Sequence, residues 1–414
     1  MSSKIFFKQL ILFCLVFITT INAQDIQEEN GHYRFTISKS FDVDPGGRLE
    51  VNNISGNIRV ITWDKKSVSI RDRIRLDVFT GEEAREVAER IKDGYSSIGN
   101  TVSINGRGGW HHHDRNLEIT VPPKFDIDIH TSNGNIFASN LEGFVDLKTS
   151  NGNIDLQAIH GEVDVKTSAG NLILENIRGR IEGKTSGGNI QLRDIYELVD
   201  VRTSGGNIRV VNAKKDINVR TSGGRISVRQ AGGNINAKTS GGSVEVEDCS
   251  GEANLRTSGG DIEAINIGNR LEMKTSGGDV LARNVNGTVI AQTSGGDLEL
   301  EDIRGAVRAE TSAGDVDVEI TLKDYKKDHR VFLRTNTGTI KLTLPGDFPA
   351  SISAEIRDAG RRWNRHEIYS DFPLSQKEAS NRRVLRRIGD INGGGDEVIL
   401  EASHGDIHIF KNNR

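Results

Sequence analysis

Thr185-Ser186-Gly187-Gly188-Asn189-Ile190-Gln191-Leu192-Arg193-Asp194-Ile195-Tyr196-Glu197-Leu198-Val199-Asp200-Val201-Arg202 is one unit of a pattern that decides the fold. Its Thr-Ser pair recurs every 18 residues, eleven times, from Thr131 to Thr311, without an insertion. A short period kept without a slip marks a stack of equivalent coils, because one extra residue would shift every column of side chains above it. With Thr as position 1, position 4 is always Gly, position 6 is Ile, Leu or Val, and position 8 is Ala, Leu or Val. Positions 15 and 17 are apolar as well. Alternation at 6 and 8, and again at 15 and 17, reads as two short strands with one buried face each.

The remaining positions read as turns. Position 4 is expected to supply a positive φ that only glycine takes easily. Position 10 is mostly Asn or Asp and opens a second turn, with Gly usual at 13. Neither strand can bury its apolar face alone. Stacking coils about 4.8 Å apart closes a core and pairs the backbone along the stack, giving a regular segment of roughly 50 Å. The predicted fold is all-β: a single-stranded parallel β-solenoid with 18-residue coils. Asn135, Asn153, Asn171, Asn189 and Asn207 at position 5 are expected to form a hydrogen-bonded ladder. Strand parity turns the Thr column inward and the Ser column outward, which argues against an outward threonine face of the ice-binding kind.

The expected organisation is a signal peptide over 1–23, an N-terminal cap region over 24–130, the regular solenoid over 131–320, and irregular C-terminal coils and a cap over 321–414. Lys4 and Lys8 precede a short apolar run, and Ile21-Asn22-Ala23 offers a cleavage site. Cys14 lacks a lipoprotein box, so no lipid anchor is expected. With the signal removed, Cys249 is the one cysteine left; it excludes an internal disulfide and reads as a small core hydrophobe. In the cap, Asn53-Ile54-Ser55-Gly56-Asn57-Ile58 is a degenerate turn, Ser67 to Leu76 a strand, and Gly81 to Lys92 a helix with Thr80 as N-cap, Glu82 and Glu83 in its first turn, and a stop at Gly94. The period breaks after Ile320 and returns six residues late at Thr335; Ser403 to Ile409 reads as the last coil.

Glycine-rich, aromatic-poor composition (46 Gly, 5% aromatic) suits a thin repetitive core, and a net charge of −4 carries no general nucleic-acid signature. The Thr-Ser-Gly-Gly-Asn-Ile repeats, led by the Asn53–Ile58 copy and a helix, resemble the bacterial putative-adhesin family of β-strand-repeat proteins of unknown function, over roughly residues 40 to 410. The resemblance implies an exported, surface-facing β-solenoid and supplies no catalytic residues.

Charge is uneven along the stack. From Val201 to Val244 there are eight cations and one anion, and from Thr257 to Ile320 five cations and twelve anions. Position 18 is a cation in eight successive coils, usually with an acid at position 16 on the same face. In three coils that acid is replaced by Asn218, Asn236 or Asn254, so Arg220, Lys238 and Arg256 lose a neutralising neighbour. Arg202, Arg220, Lys238 and Arg256 are therefore the candidate ligand-binding residues, facing an acidic polysaccharide or another envelope protein. The competing reading is a solvated, charge-compensated surface. Asp261, Asp279, Asp297 and Asp315 form an acidic column but lack a calcium-roll pattern. Trp110-His111-His112-His113-Asp114 reads as an exposed loop in which at most two histidines converge. A second basic stretch, 357–388, includes Arg361, Arg362, Arg365, Arg382, Arg383, Arg386 and Arg387. No catalytic residues, metal ligands or cofactor are assigned. The expected function is an exported, extracytoplasmic, non-enzymatic binding scaffold of the adhesin kind. The alternatives are a structural or self-assembling envelope protein and, third, a polysaccharide-active enzyme, against which the minimal coils offer no long loops to build a cleft.

Overall fold

The computed structural model describes residues 26–106, 113–358, 366–377 and 383–412. The leader over 1–23 lies outside them, as do Trp110, His111, His112, Arg361, Arg362, Arg365 and Arg382.

Each regular coil contributes one strand at positions 6–11 and one at positions 15–18, as in Ile208–Ala213 and Ile217–Arg220. Both pair in parallel with the strands 18 residues away: Ile208 with Ile190 and Ile226, and Ile217 with Val199 and Ile235. The result is two parallel sheets, each taking one strand from every coil, with the core between them. Positions 6, 8, 15 and 17 point inward, joined by position 11: Ile208, Val210, Ala213, Ile217 and Val219 are all at most 2% exposed. Cys249 occupies position 11 in its coil and is buried there, where burial pushes its thiol pKa up. The fold is thus the all-β parallel solenoid that the period predicts.

The turn chemistry differs from expectation. Among the position-4 glycines only Gly134 and Gly314 take a φ between +20° and +160°. The others are needed for closeness instead: a Cβ on Gly206 would overlap the carbonyl oxygen of Gly188 in the coil below, and the same holds up the column. The left-handed conformation sits at position 10, in Asn140, Asn176, Asp194, Asn212, Asp248, Asn266, Asn284 and Asp302, with φ from 50° to 60°. Asn and Asp tolerate it best among residues with a side chain. Ala158 and Gln230 adopt it too, at φ 54° and 58°.

The buried Thr column ties coils together. Thr203 Oγ1 donates to the Gly188 carbonyl at 2.9 Å and accepts from Gly206 N at 3.3 Å. The Ser column beside it is exposed. The position-5 ladder exists but is not amide-to-amide: each Asn Oδ1 accepts from the backbone N–H of the next coil, as from Asn171 to Asn153 and from Asn189 to Asn171, at 2.7–2.8 Å. Amide-to-amide contacts occur at position 10 instead, where Asn284 Nδ2 donates to Asn266 Oδ1 at 2.7 Å.

Both ends leave sequence order. The coil of Gly47–Ile54 and Gly56–Thr62 lies between the coil of Thr101–Asn105 and His113–Val121 and the coil of Phe125–Thr131 and Ile136–Ser139. At the other end, Asp396–His404 and Ile407–Asn412 slot between Val331–Thr337 with Ile340–Pro345 and Ala350–Ile356 with Ile368–Ser370. The tail predicted as the last coil is therefore last in the chain and next to last in the stack. Among the described residues, antiparallel strands finish three of the four sheet ends: Gln27–Glu29 with His32–Asp42, Tyr95–Ile98, and Leu385–Ile391 with Ser375–Gln376. The helix spans Gly81–Lys92; the Thr80 hydroxyl accepts from Glu83 N, and Ala84, Val87, Ala88 and Ile91 are buried. At the N-terminal end the glycine column meets Arg115, in register with Gly56. Arg115 is 1% exposed and binds Asp72 (Nε to Oδ2, 2.8 Å) and Tyr95 Oη (2.7 Å), joining the two sheets through a buried triad. Burial, reinforced by Asp72, pushes the Tyr95 phenol pKa far up.

Candidate functional site

Because positions 15 and 17 of the second sheet face inward, positions 14, 16 and 18 face out as three rows along the solenoid. In the position-18 row, Arg202, Arg220, Lys238 and Arg256 stand in register on successive strands and all are exposed. Beside it, position 16 runs Asp200, Asn218, Asn236, Asn254, Glu272, also in register.

Ion pairing divides the row. Lys148 binds Asp146 at 2.8 Å and Lys166 binds Asp164 at 2.7 Å, the compensation expected of a solvated surface. Arg256 reaches forward to Glu272 at 2.8 Å and donates to Asn254 Oδ1 at 3.0 Å, so this member of the predicted set is engaged. Glu182 is taken by Arg180 at 2.6 Å, leaving Lys184 without it. Among the described residues, Lys184, Arg202, Arg220 and Lys238 make no ion pair. Of the same basic stretch, Arg229 lies in the first-sheet strand Ile226–Ala231 and Arg225 directly before it, and they are paired to Glu247 and Glu245 of the next coil. Among the described residues Arg209 of the first sheet and Lys214 and Lys215 of the turn make no ion pair either, but on the second sheet the free cations stack in register on successive strands.

A groove of about 510 Å³ runs along this sheet, with positions 14 and 16 lining it. Its far wall is Leu198, Asp216, Asn234 and Glu252. Asp216 Oδ1 accepts from Asn234 N at 2.8 Å and Asn234 Oδ1 from Glu252 N at 2.9 Å, which fixes that wall to the turn backbone. Reading the charge at positions 16 and 18 alone misses this wall, although the same parity puts position 14 beside them.

The other candidates resolve differently. Asp261, Asp279, Asp297 and Asp315 do what Asn does at position 5: one carboxylate oxygen of each accepts the N–H of the next coil, as from Asp279 to Asp261 at 3.0 Å and from Thr339 to Asp315 at 2.7 Å. Only an acceptor is needed there, so Asp and Asn interchange. Asp128, His130 and Asp146 bring ligand-type atoms within 4.8 Å of one another. Lys148 Nζ lies 3.0 Å from His130 Nε2 and 2.8 Å from Asp146, and Arg48 binds Asp128, so these donors already serve an ion-pair network. Of the histidine motif, Asp114 lies in the strand His113–Val121. Arg386 and Arg387 lie in the antiparallel strand Leu385–Ile391, where Arg386 donates to Ser353 Oγ at 3.3 Å.

The coils are not wholly without a loop-built cleft. Where the period breaks, the segment after Ile320 and the turn Pro345–Asp347 line an open cleft of about 1040 Å³ that includes Glu319, Lys323, Asp324, Tyr325, Asp347 and Asn412. Tyr325 Oη donates to Asp347 Oδ1 at 2.7 Å and Asn412 Nδ2 to Glu319 Oε1 at 3.0 Å, so two of its carboxylates are held by neighbours.

The family model described as Toastrack DUF4097 matches residues 99–247 and 196–410. No curated protein matches the chain. Among solved structures, a putative cell adhesion protein from Clostridium sporogenes is similar at 9% identity over 91% of this chain and 100% of that one, with a TM-score of 0.12. At that score the likeness carries no argument about fold or function.

Proposed function

The chain belongs to the Toastrack family, matched over more than half its length, and from that premise we propose that it is an exported, non-enzymatic binding scaffold of the cell envelope or surface that holds a polyanionic chain along its second sheet. The observation that carries this reading is the run Lys184, Arg202, Arg220 and Lys238: four cations in adjacent coils, free of ion pairs among the described residues, where the row beside them turns from acid to Asn. Cations on adjacent strands stand about 4.8 Å apart on a rigid sheet. A rigid comb meets several charges of one ligand without ordering a loop, which lowers the cost of binding. Export is inferred from the charged start, short apolar run and cleavage pattern of residues 1–23; among the described residues no helix is long and apolar enough to cross a membrane. An adhesin is one form such a scaffold takes.

End-to-end assembly is the less favoured role. Among the described residues the outermost strands of the four sheet ends, Gln27–Glu29, Tyr95–Ile98, Ser375–Gln376 and Ile368–Ser370, are only two to four residues long, and very short edge strands blunt an edge. Retention on immobilised heparin tests the proposal. Wild type should elute at distinctly higher salt than the double variant Arg220→Glu with Lys238→Glu, since polyanion contacts release counterions. Equal elution of the two proteins at low salt would leave only a solvated surface and end the reading.

A further inference from the structure

We propose that the occupant of the second-sheet groove is an acidic polysaccharide, recognised through the asparagine ladder and the acidic far wall as much as through the cations. This rests on the polyanion reading above and narrows its ligand class.

Charge reverses across the sheet face that carries the groove. The three outward rows are spaced by two residues of strand, about 6.7 Å, so the rows at positions 14 and 18 stand roughly 13 Å apart, with the groove between positions 14 and 16 and the cation row running just outside it. The outer row carries Lys184, Arg202, Arg220 and Lys238; the far wall of the groove carries Asp216 and Glu252, neither of which makes an ion pair among the described residues. A chain charged on every side, such as polyphosphate or nucleic acid, would set anions against the carboxylates as well as the cations. A uronate or sulfated sugar chain has acid groups to lay on the cations and hydroxyls to donate to the carboxylates opposite.

The floor fits the same ligand. Asn236 Nδ2 donates to Asn218 Oδ1 at a long 3.3 Å. That leaves the Asn218 amide donors and the Asn236 acceptor without a protein partner among the described residues. An amide offers donor and acceptor together, as a sugar hydroxyl requires, whereas the Asp or Glu found at position 16 of other coils only accepts. Leu198, 45% exposed, adds an apolar step against which the C–H face of a sugar ring can rest.

The groove also has ends. Arg180 with Glu182 closes one, and Glu272, holding Arg256 at 2.8 Å and Arg270 at 3.9 Å, closes the other. Between them lie four coils from Leu198 to Glu252, about 15 Å along the axis, so a short oligosaccharide should saturate the site.

The test uses the purified protein with two probes of equal charge number, a galacturonate oligomer and inorganic polyphosphate, by titration calorimetry at low salt. Three proteins are compared: wild type, Asn218→Leu with Asn236→Leu, and Arg220→Glu with Lys238→Glu. Wild type should bind the galacturonate at least about tenfold tighter than the polyphosphate. The leucine variant should lose about tenfold on galacturonate and be unchanged on polyphosphate, with its melting temperature retained. The charge-reversed variant should lose both. Polyphosphate bound as tightly as galacturonate, or a leucine variant weakened equally on both probes, would overturn the glycan assignment and leave a plain polyanion ladder. If wild type bound neither probe, the polyanion reading would fall and this one with it.

Discussion

Replacing Thr203 separates two accounts of why threonine occupies the buried corner. Thr203 is 6% exposed, and its hydroxyl joins the Gly188 carbonyl below at 2.9 Å and the Gly206 N–H of its own coil at 3.3 Å. Thr203→Val keeps the shape and removes the hydroxyl. Each buried group left unpaired costs about 1–3 kcal/mol; the longer contact counts at the low end, and the added methyl returns about 0.8 kcal/mol. The net loss is about 2 kcal/mol. Thr203→Ser keeps both bonds and loses one buried methyl, about 1 kcal/mol. The expected order of stability is therefore wild type, then Ser, then Val. For a chain this long a loss of 1 kcal/mol lowers Tm by roughly 2 °C, so the same replacement in Thr185, Thr203 and Thr221 together magnifies the difference. Thermal and urea unfolding followed by circular dichroism read it out. If the Val series melted at or above the Ser series, apolar filling would explain the column and the hydroxyl bridge would count for nothing.

Other expectations follow from the same geometry. Ile208→Asp places a carboxylate between Ile190 and Ile226 in a core position 1% exposed, which should cost several kcal/mol; because neighbouring coils are coupled, hydrogen exchange should speed in the flanking coils too, and a wild-type melt would refute the column. Ala158 holds φ 54° where most coils use Asn or Asp, so Ala158→Asn should raise stability by about 0.5–1 kcal/mol, and an unchanged urea midpoint would show that the backbone strain is absent. The Tyr95 phenol, its pKa raised by burial and by Asp72, stays protonated in the fold after it ionises in the unfolded chain. Its contribution is full below pH about 10 and is lost as pH rises beyond it, at up to about 1.4 kcal/mol per pH unit. Tyr95→Phe should flatten that slope in alkaline unfolding titrations, and an identical slope would place the loss elsewhere.

Much of the molecule was legible in one unit of sequence. The constant spacing put Ile190, Ile208 and Ile226 in one column, and parity alone sent Arg202, Arg220, Lys238 and Arg256 to a common outer row. Local signals were enough for Thr80 and the helix Gly81–Lys92. Periodic sequence repeats the same local information in every coil, so whatever depends on the coil alone can be read from it.

Three features waited for the tertiary structure, each because it depends on what lies next door. The position-4 glycine reads locally as a turn residue, yet the demand on it comes from the Gly188 carbonyl stacked beneath Gly206, while the left-handed φ falls at Asn212 and its equivalents. The order of coils at the ends is fixed by pairing between strands far apart in the chain, as between Asp396–His404 and Ala350–Ile356. And the free cations were settled by a choice that composition leaves open: Glu182 turned to Arg180 and Glu272 to Arg256, one partner two residues away and the other sixteen. Sequence determined which charges share a face; side-chain reach across the stacked coils decided which of them remain uncompensated.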